Sequence, residues 1–248
     1  MKLTILGCSG SMAGPDSPAS SYLVTADGYQ LVLDLGNGSL GALQRHLRPD
    51  EIDAVILSHL HADHCVDMTS LIVALRHGPA PATRRIPVFG PTGTKARIEA
   101  AYDPVARKLG LHELFEFTTP KSPAQIGPFT ATFALVNHPV PTYAVRLEHG
   151  GRSLVYSADT GESDALVELA TGADLLLCEA SFTERDPKVP GLHLTGRQAG
   201  EHAARAGVAK LVITHVQPWN SPAEAVEDAQ AVFDGEVVAA VADEVYQM

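Results

Sequence analysis

Long apolar runs, cysteine and basic charge are all scarce in this 248-residue chain. No apolar stretch approaches the ~20 residues that cross a bilayer, so no membrane-spanning helix is expected. The opening Met1-Lys2-Leu3-Thr4-Ile5-Leu6-Gly7 runs too soon into Gly, Ser and Pro to be a secretory leader, and reads as a first strand. Only three cysteines occur, Cys8, Cys65 and Cys178. Each sits beside an apolar segment, which suits buried reduced thiols and a cytoplasmic setting rather than a disulfide framework. There are 18 basic against 29 acidic residues, a net charge of −11. So acidic a chain is ill suited to gripping a long polyanion by its phosphates, so nucleic acid is not an expected partner. What remains is ordinary for a globular protein, at 45% hydrophobic and 19% charged residues, and the length suits one large α/β domain over residues 1–248.

One stretch stands out. Ala54–Leu57 is a short apolar run suited to a buried strand, and His59, His61, Asp63 and His64 follow within six residues. In extended chain, side chains two apart point the same way, so His59 and His61 can address one metal ion. If the chain turns into a helix near Asp63, Asp63 and His64 can reach a second ion. Imidazole and carboxylate are the donors zinc takes. With this composition, H-x-H-x-D-H arises by chance about once in a thousand such chains.

These residues resemble the first motif of the metallo-β-lactamase superfamily of binuclear metallohydrolases. That family takes three further ligands from later strand ends, and candidates occur in order: His138 after Phe129–Val136, Asp159 after Ser153–Ser157, and His215 after Leu211–Thr214. The resemblance implies that His59, His61 and His138 hold one zinc and Asp63, His64 and His215 the other, with Asp159 bridging. It spans Leu3 to about Val238 and implies an αββα sandwich. Manganese is an alternative metal.

The remaining pattern agrees with such a sandwich. Leu3–Leu6, Ser21–Thr25 and Gln30–Asp34 read as an opening antiparallel sheet, with Gly10–Ser20 a loop near the site mouth. A helix is expected from Leu35-Gly36-Asn37-Gly38 to about His46. Asp63–Arg76 reads as another, and Thr94–Leu109 as a third, broken or kinked at Pro104. Ile86–Phe89, Leu114–Phe117 and Phe129–Val136 read as strands. Tyr143–Leu147 and Ser153–Ser157 form a hairpin through Gly150-Gly151. Ser163–Ala170, Ala199–Ala206 and Pro222–Phe233 are expected helices; Leu175–Cys178, Leu211–Thr214 and Val237–Val241 are expected strands.

A second stretch, Gly191-Leu192-His193-Leu194-Thr195-Gly196-Arg197-Gln198, precedes a helix. Thr195 with Gln198 three later forms a capping box, which sets His193 at a helix N-terminus that favours an anion. The stretch resembles the element of RNase Z-like phosphodiesterases whose histidine protonates the leaving oxygen. The resemblance then implies a mechanism: the zinc pair activates water and polarises the phosphate, Asp63 also orients the nucleophile as a base, and His193 acts as general acid. Thr195 and Trp219 are candidate substrate contacts, Trp219 by stacking on a base. The other histidines, His46, His77, His112, His149 and His202, read as structural.

RNase Z enzymes that trim transfer RNA carry a long arm between the positions matching His138 and Asp159. Here 20 residues separate them (159 − 138 − 1), and the hairpin accounts for nearly all. The expected function is therefore hydrolysis of a small phosphodiester, a cyclic nucleotide such as 3′,5′-cyclic AMP leading and RNA 3′-end processing second. Glyoxalase II shares the ligand set but has a C-terminal extension and lacks the His193 element. True lactamases generally lack the Asp63–Asp159 pairing. A non-catalytic metal-binding protein would show degenerate ligands, whereas all seven are present. Relatives in this branch imply a homodimer.

Overall fold

The computed structural model describes residues 1–79, 84–103, 110–187 and 189–248. Strands β1 (Lys2–Gly7), β2 (Ser21–Ala26), β3 (Tyr29–Leu33), β4 (Ala54–Ile56), β5 (Ile86–Phe89), β6 (Phe115–Thr118) and β14 (Val245–Gln247) form one sheet in the order β14-β1-β2-β3-β4-β5-β6. The other holds β7 (Ala124–Ile126), β8 (Phe129–Leu135), β9 (Tyr143–His149), β10 (Arg152–Tyr156), β11 (Leu175–Glu179), β12 (Lys210–Thr214) and β13 (Glu236–Ala239), in the order β13-β12-β11-β10-β9-β8-β7. Both are mixed. Pairing is antiparallel from β14 to β3 and parallel from β3 to β6; in the second sheet it is antiparallel from β7 to β10 and parallel from β10 to β13.

Period-two alternation divides the apolar side chains among three cores. Leu3 and Ile5 of β1 meet Leu154, Leu177 and Val212 between the sheets. Leu6, Val32 and Val55 face the other way, onto helices α1 (Ser39–Leu43) and α3 (Met68–His77) and onto Ile98 of α4 (Thr94–Tyr102). Leu176, Leu211 and Ile213 pack outward against α5 (Asp164–Ala170), α6 (Gly196–Ala206) and α7 (Pro222–Gln230). Helix, sheet, sheet and helix are therefore stacked as the sequence pattern suggests. No helix among the described residues is long and apolar enough to cross a membrane.

Several boundaries differ from expectation. The helix expected over Asp63–Arg76 is two, α2 (Ala62–Cys65) and α3. Between them, Asp67 turns its N–H to the Leu35 carbonyl and accepts from the Leu40 N–H, tying the break to the start of α1. Helix α1 is correspondingly short, and α4 stops at Tyr102. Asp103 is extended, as a residue before proline prefers; Pro104–Leu109 lies outside the described residues. Strands β7 and β14 span three residues each, too few for a periodic signal. The Gly150-Gly151 hairpin forms, with both glycines at positive φ (59° and 75°), where an NG- or GG-type turn needs them.

Candidate metal centre

The centre lies where β3, β4, β8, β10, β11 and β12 deliver their carboxyl ends to one edge of the sandwich. Asp34 follows β3, His59 and His61 follow β4, His138 follows β8, Asp159 follows β10 and His215 follows β12. Sharp turns aim these side chains. Among the described residues six non-glycines have positive φ, and four of them, Ser11, Asp34, Ala158 and His215, are at this edge. Backbone strain concentrates where geometry serves function.

All seven histidines and aspartates singled out in the sequence meet here, in two groups that share Asp159. In His59, His61, His138 and Asp159, one candidate ligand atom from each lies within 4.8 Å of the others; the same holds for Asp63, His64, Asp159 and His215. His61 Nδ1 is 3.1 Å from His59 Nε2 and 3.2 Å from His138 Nε2. His215 Nε2 is 3.2 Å from both His64 Nε2 and Asp63 Oδ2.

The surrounding shell fixes which nitrogen faces inward. His64 Nδ1 donates to Asp34 Oδ2 at 2.8 Å, and His138 Nδ1 to the Leu192 carbonyl at 2.9 Å. His59 Nδ1 donates to the Ser58 hydroxyl (3.1 Å), which itself donates to Asp34. His215 Nδ1 meets the Ser181 hydroxyl at 2.7 Å, which donates to the His215 carbonyl. Each ring thus turns its Nε2 lone pair to the centre, the tautomer a metal ligand requires. His61 alone presents Nδ1.

The arrangement fits metal ions. Asp159 is 2% exposed, and its Oδ1 has no hydrogen-bond partner although it lies 3.2 Å from His64 Nε2 and 3.5 Å from His215 Nε2. A buried oxygen without a partner is costly unless a cation or donor faces it. Burial also pushes the His59, His61 and His138 pKa values down, favouring their neutral, ligating forms. For Asp63 and Asp159, burial favours the neutral acid, yet the surrounding histidines hold both carboxyls well below the usual range.

Two carboxylates behind the centre were not anticipated. Asp34 is fully buried, and besides Ser58 and His64 it accepts from the Tyr156 hydroxyl at 2.8 Å. Glu179, also fully buried, accepts from the Thr160 N–H (2.8 Å), the Ser181 N–H (3.0 Å) and His193 Nδ1 (2.8 Å). An acid closing an otherwise apolar strand, as in Leu175-Leu176-Leu177-Cys178-Glu179, was the available signal.

His193 stands beside the centre. Its ring centroid is 5.6 Å from that of His138, 5.5 Å from that of His215 and 5.2 Å from that of Phe182, the last pair near perpendicular. Burial lowers its pKa, but the Glu179 carboxylate, joined by Asp159, outweighs burial, and the imidazole is raised to about 9. Thr195 caps α6 as expected, its hydroxyl accepting from the Gln198 N–H. It is fully buried there, two residues after His193. Trp219 is 65% exposed in the loop after His215.

Comparison with known proteins follows the same outline. Residues 30–216 match the β-lactamase superfamily domain. An uncharacterized protein of Mycobacterium leprae is 45% identical over all of this chain and 89% of its own. The probable metallo-hydrolase YhfI of Bacillus subtilis is 32% identical over 96% of both chains. Its crystal structure superposes with a TM-score of 0.87 over 99% of this chain and 98% of that one. A ribonuclease Z of Mycobacterium bovis is 30% identical over 90% of this chain and 89% of its own. The chain belongs to the β-lactamase superfamily, among its metallo-hydrolases.

Proposed function

We propose that this protein is a two-metal phosphodiesterase that hydrolyses a small phosphodiester, with a 3′,5′-cyclic nucleotide such as cyclic AMP as the leading substrate. The observation that carries this reading is His193 held at 2.8 Å by the buried Glu179 beside the paired His/Asp groups. A phosphodiester expels an alkoxide, a poor leaving group that gains from protonation as the bond breaks, whereas a thioester expels a thiolate that needs none.

In this reading His59, His61 and His138 would hold one ion and Asp63, His64 and His215 a second, with Asp159 belonging to both groups. Zinc suits the donor set, and manganese would also be accepted. Divalent metal bound there would make water acidic enough to act as nucleophile and would polarise a phosphoryl oxygen. The chain's own residues do the rest. Asp63, beside His215 at the centre, would orient the attacking water as a base. His193, protonated at neutral pH, gives a proton to the departing oxygen. Glu179 fixes the direction of that imidazolium by accepting from its Nδ1.

Size and charge favour a small substrate. The segment between His138 and Asp159 is occupied by the β9–β10 hairpin with its two-glycine turn, leaving no length for an RNA-gripping arm. Two divalent ions would bring the net charge from −11 only to about −7 (−11 + 4). The identity to a ribonuclease Z supports RNA 3′-end processing as the second reading. Three free thiols suit a reducing, cytoplasmic setting.

The test is cyclic AMP turnover by the zinc-loaded protein and its His193→Ala variant. AMP formation that falls ~10²–10⁴-fold in the variant, at equal metal content, is expected. Equal rates in the two proteins would remove His193 as the acid and the reading with it.

A further inference from the structure

The loop after β1 makes an unusual approach to the centre. Ser11 has φ 62°, although it is not glycine, and the Met12 N–H donates back to the Gly10 carbonyl at 2.7 Å. A hydrogen bond spanning one central residue with φ near +60–75° is the strained form of the γ-turn, rare in proteins. Strain of this kind persists only where the surroundings enforce it, and here they do. Gly10 packs so closely on His215 that a Cβ would lie 2.2 Å from the His215 carbonyl oxygen. The Gly10 N–H donates to the Val216 carbonyl at 2.9 Å, and the Gln217 side-chain amide donates to the Ser11 hydroxyl at 3.2 Å.

The enforced turn points the Ser11 backbone N–H at His215 Nε2, 3.3 Å away. That nitrogen is the one His215 offers to the centre, since its Nδ1 is engaged by Ser181. A lone pair given to a metal ion cannot also accept a hydrogen bond. With the centre loaded, the Ser11 N–H therefore loses its acceptor while still facing the space beside His215.

We infer that the Ser11 backbone N–H is a hydrogen-bond donor to a phosphoryl oxygen of the substrate, held in place by Gln217; this rests on the phosphodiesterase reading. A fixed backbone dipole aimed at a site of developing negative charge needs no reorganisation during the reaction, which is where such donors are most effective. It also explains why a strained serine is clamped at this point. Among oxyacid esters it favours those with an anionic, multiply oxygenated centre, because a phosphoryl group has an oxygen to spare for the turn.

The N–H can be removed by a backbone ester, which also weakens the Gly10 carbonyl as acceptor for the Met12 N–H. In vitro translation that places the α-hydroxy acid analogue of alanine at position 11 exchanges the amide for an ester, and Ser11→Ala controls for the lost hydroxyl. The readout is the Kd of inorganic phosphate for the zinc-loaded proteins by calorimetry, with zinc content measured on the same samples. The ester is expected to bind phosphate about tenfold or more weakly than Ser11→Ala, at unchanged zinc, the usual scale for a hydrogen bond to a charged group. Equal phosphate affinities, or no phosphate binding by the zinc-loaded parent, would overturn the inference.

Should the ester variant not fold, the ¹⁵N-labelled parent gives the same answer. Phosphate addition should shift the Ser11 amide proton downfield and produce a coupling from its nitrogen to phosphorus; an unmoved Ser11 resonance at saturating phosphate would refute the contact. Because neither readout uses turnover, a failure of cyclic AMP hydrolysis would remove the proposed function and leave the phosphate result to stand or fall alone.

Discussion

Replacing Glu179 by glutamine should move the alkaline limb of activity rather than abolish activity. Burial alone would hold the His193 pKa below its ordinary 6.5, and the carboxylates beside it lift it to about 9. Glu179 is the stronger of the two carboxylates that raise it, Asp159 being the other, so most of the rise is lost with the Glu179 charge. Metal ions nearby lower the pKa in both proteins alike, so the separation of the two limbs, not their absolute position, carries the test. In Glu179→Gln the limb should fall by roughly 1–2 pH units below the parental one. Above both limbs the rates should differ by about 10–10²-fold, and they should converge at low pH, where His193 is protonated in both. The same pair contributes to stability below about pH 6.5, and this contribution is lost as pH rises through about 9. Glutamine also turns an N–H₂ or leaves a weaker acceptor toward the Thr160 and Ser181 N–H groups, a cost of about 1–3 kcal/mol. Thermal melting should confirm that the variant is folded at assay temperature. A pH–rate profile for cyclic AMP in which both limbs coincide would refute the assignment of Glu179 and His193 as a working pair.

Three further outcomes follow from the centre. Asp34→Asn leaves every inward nitrogen in place but weakens the acceptor for His64, Ser58 and Tyr156; zinc affinity should drop ~10–100-fold in chelator competition, and an unchanged affinity would show that the shell does not position His64. Gly10→Ala places a Cβ 2.2 Å from the His215 carbonyl, so it should displace the loop, lower the melting temperature and reduce bound zinc below the parental stoichiometry. Removing metal with chelator should destabilise the fold by RT ln(1 + [metal]/Kd); a melting temperature indifferent to zinc would argue that the clustered histidines hold no ion.

How much of this was legible in the sequence varied with the reach of the signal. The first-motif residues lie within six positions, and His138, Asp159 and His215 each end an apolar run, so pattern alone marked them as strand-end polar groups. Their convergence came from the resemblance, because no local pattern says which strand ends meet. Asp34 and Glu179 also close apolar strands, yet a single buried acid has no spacing to announce it, and its partners are up to 122 residues away, as with Tyr156 and Asp34. Ser11 was hidden further: its φ angle is imposed where Gly10 packs on His215, and His215 lies 204 positions on from Ser11. The expected helix across Asp63–Arg76 failed for a related reason. Asp67 reads as a tolerable helix residue until the structure brings Leu35 and Leu40 to it.

The measurement that bears most directly on the account is a side-by-side determination of kcat/KM on one zinc-loaded preparation, with 3′,5′-cyclic AMP and with a 3′-extended transfer RNA precursor. The account predicts AMP formation dependent on His193 and bound metal, with the RNA left uncut. Cleavage of the RNA with cyclic AMP untouched would contradict it.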